Sequence, residues 1–279
     1  MINTLKMVGW EHMKLLMLGT GHALVTGCYN TCFALQEHGE YFLVDGGGGI
    51  GILSQLKKAG IDWRLIKNIF VTHKHIDHLL GVIWLLRVIC EHMDRGEYRE
   101  TITLYAHQEL LKTICNVASM LLQAKDAQHI GDQVRLVSVS DGSEYEIMGH
   151  KTVFFDVHST KTKQFGFVFY LNDNEKLSCC GDEPYNALNR KYVEGSKWLL
   201  HEAFCLYSDV DVYSPYEMHH STAKDACQVA EELGVENLIL YHTEDSDLKN
   251  RKARYTAEGR EYFKGGLYIP DDLETLQLS

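Results

Sequence analysis

Four side chains able to bind a metal ion fall within six residues of this chain: His73, His75, Asp77 and His78, with only Lys74 and Ile76 between them. Their spacing decides what they can do. Two histidines two positions apart leave the same side of an extended backbone, so His73 and His75 can close on one ion. Asp77 and His78 come as the chain bends, so they can point to a second ion beside the first. Imidazole with carboxylate favours zinc or a similar divalent cation such as manganese. A solvated, His-rich turn is the plain alternative. The flanks argue against it: Leu65 to Thr72 reads as a buried strand, and Leu79 to Leu86 as a buried helix.

Other elements must bring further ligands to this loop. Met13 to Leu18 reads as a first strand ending in the glycine turn Gly19-Thr20-Gly21. Cys32–Gln36 and Tyr41–Val44 read as a hairpin around Gly39. The second arm ends in Asp45 and four glycines. No Gly-Lys-Ser/Thr follows them, so a phosphate-binding P-loop is not supported. Asp45 could orient a loop histidine from behind, or cap a helix over 50–59. His107 to Ala124 has helical periodicity, with an apolar stripe that reads as core. Strands are expected over 101–105, 133–139, 144–147, 152–157, 165–171, 176–180 and 237–241, with the apolar run Trp198-Leu199-Leu200 leading to His201, and helices over 223–233 and 247–263, with a short strand pair at the C-terminus.

A ligand-type residue recurs at the end of these strands: Asp45, His73, His158, Asp182, His201 and His242. In open α/β sheets that edge is where ligands gather. Each has an ordinary reading too. His158 alone would be a surface or packing residue, and Asp182 a helix cap. Yet the first metal needs a third nitrogen, and an Asp can bridge two metals through its two oxygens.

The composition bounds the class. The chain has 279 residues, 45% hydrophobic, with 3 prolines and no low-complexity linker. Residues 1–12 read as an N-terminal extension, with Met13 a plausible natural start, and 13–279 as one domain. The net charge of −11 counts against general binding of polyanions. The 8 cysteines form no regular framework, as expected of reduced thiols. No convincing signal peptide and no stretch of about 20 apolar residues is present, so the expected location is the cytoplasm, away from membranes.

The series Gly19-Thr20-Gly21, Asp45, His73-x-His75-x-Asp77-His78, His158, Asp182 and His242 resembles the metallo-β-lactamase superfamily over about residues 13 to 245. The resemblance implies an α+β fold, a four-layer αββα sandwich with two divalent metal ions at one edge. It implies that His73, His75 and His158 bind the first metal, that Asp77, His78 and His242 bind the second, and that Asp182 bridges them. Within the superfamily, His201-Glu202-Ala203 and His220-Ser221-Thr222 resemble segments of the ribonuclease Z group, with Phe204 where that group has Thr. Glu202 and His220 would then form a proton relay near the leaving group; a salt bridge for Glu202 and a helix cap for His220 are the ordinary alternatives. A homodimer follows from the resemblance alone.

Two departures bear on substrate. No Gly-Pro-rich arm for gripping transfer RNA is visible, and the group's Arg-Asn step stands here as Tyr29-Asn30. With the acidic charge, these argue against transfer RNA and favour a small or short phosphodiester. The expected reaction is attack on phosphorus by a metal-bridging hydroxide, with Asp77 taking the water proton and His220, charged through Glu202, protonating the departing oxygen. Hydrolysis of a thioester, lactone or β-lactam on the same metals is the second reading. Diiron redox chemistry is disfavoured because the relatives that perform it carry Glu at the position of His75. A non-catalytic binding module would need ligand positions to be missing, and all are filled.

Overall fold

The computed structural model describes residues 12–278, so the expected extension lies, His12 apart, outside the described residues. Strands β1 (Lys14–Gly19), β2 (Cys32–Glu37), β3 (Glu40–Val44), β4 (Ile66–Phe70), β5 (Ile102–His107) and β6 (Val134–Val139) build one sheet. Strands β7 (Ser143–Ile147), β8 (His150–Asp156), β9 (Phe165–Tyr170), β10 (Lys176–Cys179), β11 (Trp198–Glu202), β12 (Asn237–Tyr241) and β13 (Gly266–Tyr268) build the other. A last strand, β14 (Thr275–Gln277), returns to the first sheet. The orders are β14-β1-β2-β3-β4-β5-β6 and β13-β12-β11-β10-β9-β8-β7. The expected C-terminal strand pair is corrected here: β13 pairs with β12 and β14 with β1, in different sheets. Pairing between distant segments leaves no local periodic signal.

Period-two alternation makes the layers. In β1, Leu15 and Met17 face the space between the sheets, where Phe33, Phe42, Phe70, Phe154 and Phe167 interlock. Leu16 and Leu18 face outward and pack with Leu56, Val82 and Leu86 of the helices Gly51–Lys58 and Ile76–Asp94. On the far side, Val168, Leu199, Leu238 and Leu240 pack with Ala226 and Ala230 of the helix Ala223–Glu232 and Tyr255 of Arg251–Gly259. The result is the αββα sandwich that the sequence led us to expect. No helix among the described residues is long and apolar enough to cross a membrane.

Parallel pairing fixes where the site forms. β3 is parallel to β4, and β10 to β11 and β11 to β12. Within each sheet the C-terminal ends therefore share an edge, and Asp45 and His73 leave from that of the first sheet, Asp182 and His242 from that of the second. At Asp45 and His242 the backbone enters the left-handed region, with φ of 57° and 59°. Such turns are uncommon away from glycine and tend to persist at functional sites.

Candidate metal centre

The ligand atoms fall into two adjoining sets. Those of His73, His75 and Asp182 lie within 4.8 Å of one another, as do those of Asp77, His78 and His242. Asp182 Oδ2 stands between them, 3.5 Å from His73 Nε2 and 3.7 Å from both His78 Nε2 and His242 Nε2. Six of the seven expected ligands therefore converge, with the Asp182 carboxylate at the centre.

Three of the imidazoles are held in the tautomer that a metal needs. Asp45 Oδ2 accepts from His78 Nδ1 at 2.7 Å, leaving His78 Nε2 buried with no hydrogen-bond partner. Thr72 Oγ1 donates to the same Asp45 oxygen at 2.7 Å, so its own oxygen can accept from His73 Nδ1 at 2.9 Å. Thr31 Oγ1 donates to Gly21 O at 3.0 Å and accepts from His242 Nδ1 at 3.1 Å. In each ring Nδ1 is held by its partner, so Nε2 is the nitrogen left to face the cluster and a cation would take the place of any proton there. The orphaned His78 nitrogen, aimed between two carboxylates, is what a divalent cation would satisfy. The donor set of imidazole and carboxylate fits zinc or manganese.

The electrostatics agree. Burial pushes His73 down to about 3, keeping it neutral. Burial disfavours charge on His78 as well, but Asp77 and Asp45 more than offset this and raise it well above the usual histidine value. Burial would raise Asp182, yet His73, His78 and His242 around it hold it well below the carboxylate range. The pull of these carboxylates on a cation is built in.

Asp45 thus stands behind the clustered histidines, through the bonds above and one from Thr72 N at 2.8 Å. It does not cap the following helix, whose N-cap makes no side-chain bond. Gly46, the first glycine after Asp45, serves close approach: a Cβ on it would lie 2.3 Å from Val82 N, and one on Gly81 would lie 1.7 Å from Gly46 O. That contact brings the metal-loop helix against Asp45.

Glu202 is fully buried, and its carboxylate accepts from Ser221 and from Phe204 N at 3.2 Å. His220 Nδ1 lies 3.5 Å from Glu202 Oε2, without a hydrogen bond. The other end of His220 reaches Asp182 and His242 closely enough to form a third ligand-type set with them. Thr222, not His220, caps the helix that follows, through a capping box with Asp225.

His158 is not gathered. It is exposed, turns at φ 60° after β8 with its N–H held by Asp156 Oδ1 at 2.8 Å, and lines an adjoining cleft that meets the metal pocket at His220. His201 also drops from the strand-end series. Tyr185 N donates to its Nε2 at 3.2 Å and its Nδ1 lies 2.7 Å from Glu202 O, so both nitrogens are occupied in holding loops. Sequence reasoning missed Thr31, Thr72, Gln164 and Lys161. Gln164 grips Asp182, donating to Oδ1 at 2.7 Å and accepting from Asp182 N at 3.1 Å. Phe204, visible in the sequence only as a departure, stacks on His220 with ring centres 4.8 Å apart.

A two-sheet sandwich with this His/Asp set at its edge is a metal-dependent hydrolase of the metallo-β-lactamase superfamily, ribonuclease Z-like in its motifs. Residues 13–262 match the family model described as anti-Pycsar protein Apyc1, and the chain belongs to that family. Among curated proteins it is similar to ribonuclease Z of Nitrosopumilus maritimus, 24% identical over 82% of this chain and 89% of that one. Among solved structures it resembles the metallo-β-lactamase fold protein YhfI of Bacillus subtilis, with a TM-score of 0.77 and 16% identity over 95% and 99% of the two chains. It also resembles the short form of human tRNase Z, with a TM-score of 0.71 and 21% identity over the same shares.

Proposed function

We propose that this protein is a dinuclear, zinc-dependent phosphodiesterase acting on a small or short phosphodiester. The observation that carries the reading is the placement of His220 between the ligand cluster and the buried Glu202. A hydrolase of good leaving groups needs only the metals, whereas an alkoxide leaving from phosphorus needs a proton. When bound, the cations acidify water and polarise the phosphoryl group. Asp77, whose Oδ2 lies 3.3 Å from His78 Nε2, holds the attacking water and accepts its proton. Glu202 steadies positive charge on His220, which delivers a proton to the departing oxygen. The names of the ribonuclease Z relatives support phosphodiester chemistry.

His158 completes the first ligand set in this proposal by turning in from the adjoining cleft. Its left-handed backbone turn, shared with Asp45 and His242 at their strand ends, supports that role.

The test is leaving-group dependence. His220→Ala and Glu202→Gln should slow a dialkyl or nucleotide diester by roughly 10²- to 10⁴-fold, the usual worth of general acid catalysis. They should leave bis(p-nitrophenyl) phosphate within a few-fold of wild type. Equal losses on both substrates would defeat the relay.

A further inference from the structure

The loop between β8 and β9 carries a cation into the metal pocket. Lys161 lines a cavity of about 200 Å³ together with His75, Asp77, Asp182, His220 and His242. Its Nζ lies 3.3 Å from His220 Nε2, 3.3 Å from Glu183 Oε1 and 4.0 Å from Asp182 Oδ2. Its side chain is mostly buried, with 16% of its surface exposed.

This is a built position rather than a stray surface lysine. Ser159 Oγ donates to the buried Glu183 at 2.7 Å and accepts from Lys161 N at 3.1 Å and Thr162 N at 3.2 Å. That fold of the loop points the ammonium inward, and Glu183 holds it there. An ammonium only donates, so its contact with His220 Nε2 leaves the ring proton of His220 on Nδ1, facing Glu202.

We infer that Lys161 is an anion clamp for the phosphoryl group, and that it selects phosphodiesters over neutral acyl substrates. The inference rests on the phosphodiesterase reading. Glu183 holds the ammonium at 3.3 Å, but two divalent cations would repel it, and an anion seated between them would relieve that repulsion. A phosphodiester brings that anion in its ground state, whereas a thioester or lactone carbonyl is neutral until it is attacked. When the phosphoryl oxygen draws the ammonium to itself, His220 Nε2 is released for its own proton.

The test uses inorganic phosphate as the probe, titrated calorimetrically into the metal-loaded protein. A charge-assisted hydrogen bond is worth roughly 10- to 100-fold in affinity. Lys161→Met should weaken phosphate binding by that factor and raise KM for bis(p-nitrophenyl) phosphate alongside it, with metal content unchanged. Lys161→Arg should stay within a few-fold of wild type. Lys161→Met binding phosphate as tightly as wild type would overturn the clamp. So would Lys161→Arg being as weak as Lys161→Met, or phosphate affinity falling only in step with metal content. If Lys161→Met does not fold, Lys161→Gln carries the same comparison. A wild-type protein that hydrolyses no diester defeats the proposed function, while its phosphate binding still judges Lys161.

Discussion

Asp45→Asn is the most informative single change, because it alters hydrogen-bond polarity while leaving shape intact. Asp45 accepts three hydrogen bonds, from Thr72 N at 2.8 Å and from Thr72 Oγ1 and His78 Nδ1 at 2.7 Å each. An asparagine has one acceptor oxygen and one NH₂. With its oxygen toward Thr72 Oγ1 and His78, the NH₂ meets the Thr72 N–H, donor against donor. In the flipped orientation the NH₂ meets His78 Nδ1, which must then lose its proton to Nε2, the atom that faces the metal. Thr72 Oγ1 would also turn its proton toward His73 Nδ1 and force the same shift there. Either way a buried donor is stranded, at a cost of about 1–3 kcal/mol. That corresponds to roughly 10- to 100-fold in metal affinity, the range expected for an outer-shell partner. Competition for zinc against a chromophoric chelator reads the affinity, and near-ultraviolet circular dichroism confirms the fold. A folded Asp45→Asn protein that binds zinc within twofold of wild type would refute the argument that Asp45 sets the tautomers.

Two further expectations concern the metal itself. Stripping the protein with a chelator should lower Tm; zinc restored to about 100 times its Kd contributes roughly 2.7 kcal/mol, or about 5 °C for a chain of this size, and an unchanged melting curve would count against the centre. His158→Ala should reduce zinc affinity at the first site by at least about tenfold, read by metal analysis after dialysis; full metal content would leave His73, His75 and Asp182 as the complete set.

Much of the centre was legible because it obeys two short-range rules. The loop from His73 to His78 is contiguous, and Asp45, Asp182 and His242 each end an apolar run that could only be a strand. The periodicity gave β12 to the residue and most helices to within a few residues. What was hidden is non-local. Thr31 and Thr72 are ordinary hydroxyls until the fold sets them behind His242 and His73. Lys161 sits in a polar loop with no periodicity to mark it, and Gln164 shows its purpose only against Asp182, 18 residues away. His201 misled for the opposite reason: it has the right type and the right strand end, but both nitrogens are occupied by backbone groups.

The division of the ligands between the sheets has a mechanical consequence. Asp77, His78, His73 and His75 follow strands of the first sheet, and Asp182 and His242 follow strands of the second. The two sheets divide along the chain near residues 140–142, apart from the returning β14. A metal centre bound there would therefore act as a rivet through both halves. A backbone nick at that junction would yield two fragments with incomplete ligand sets, and added zinc should drive their reassembly.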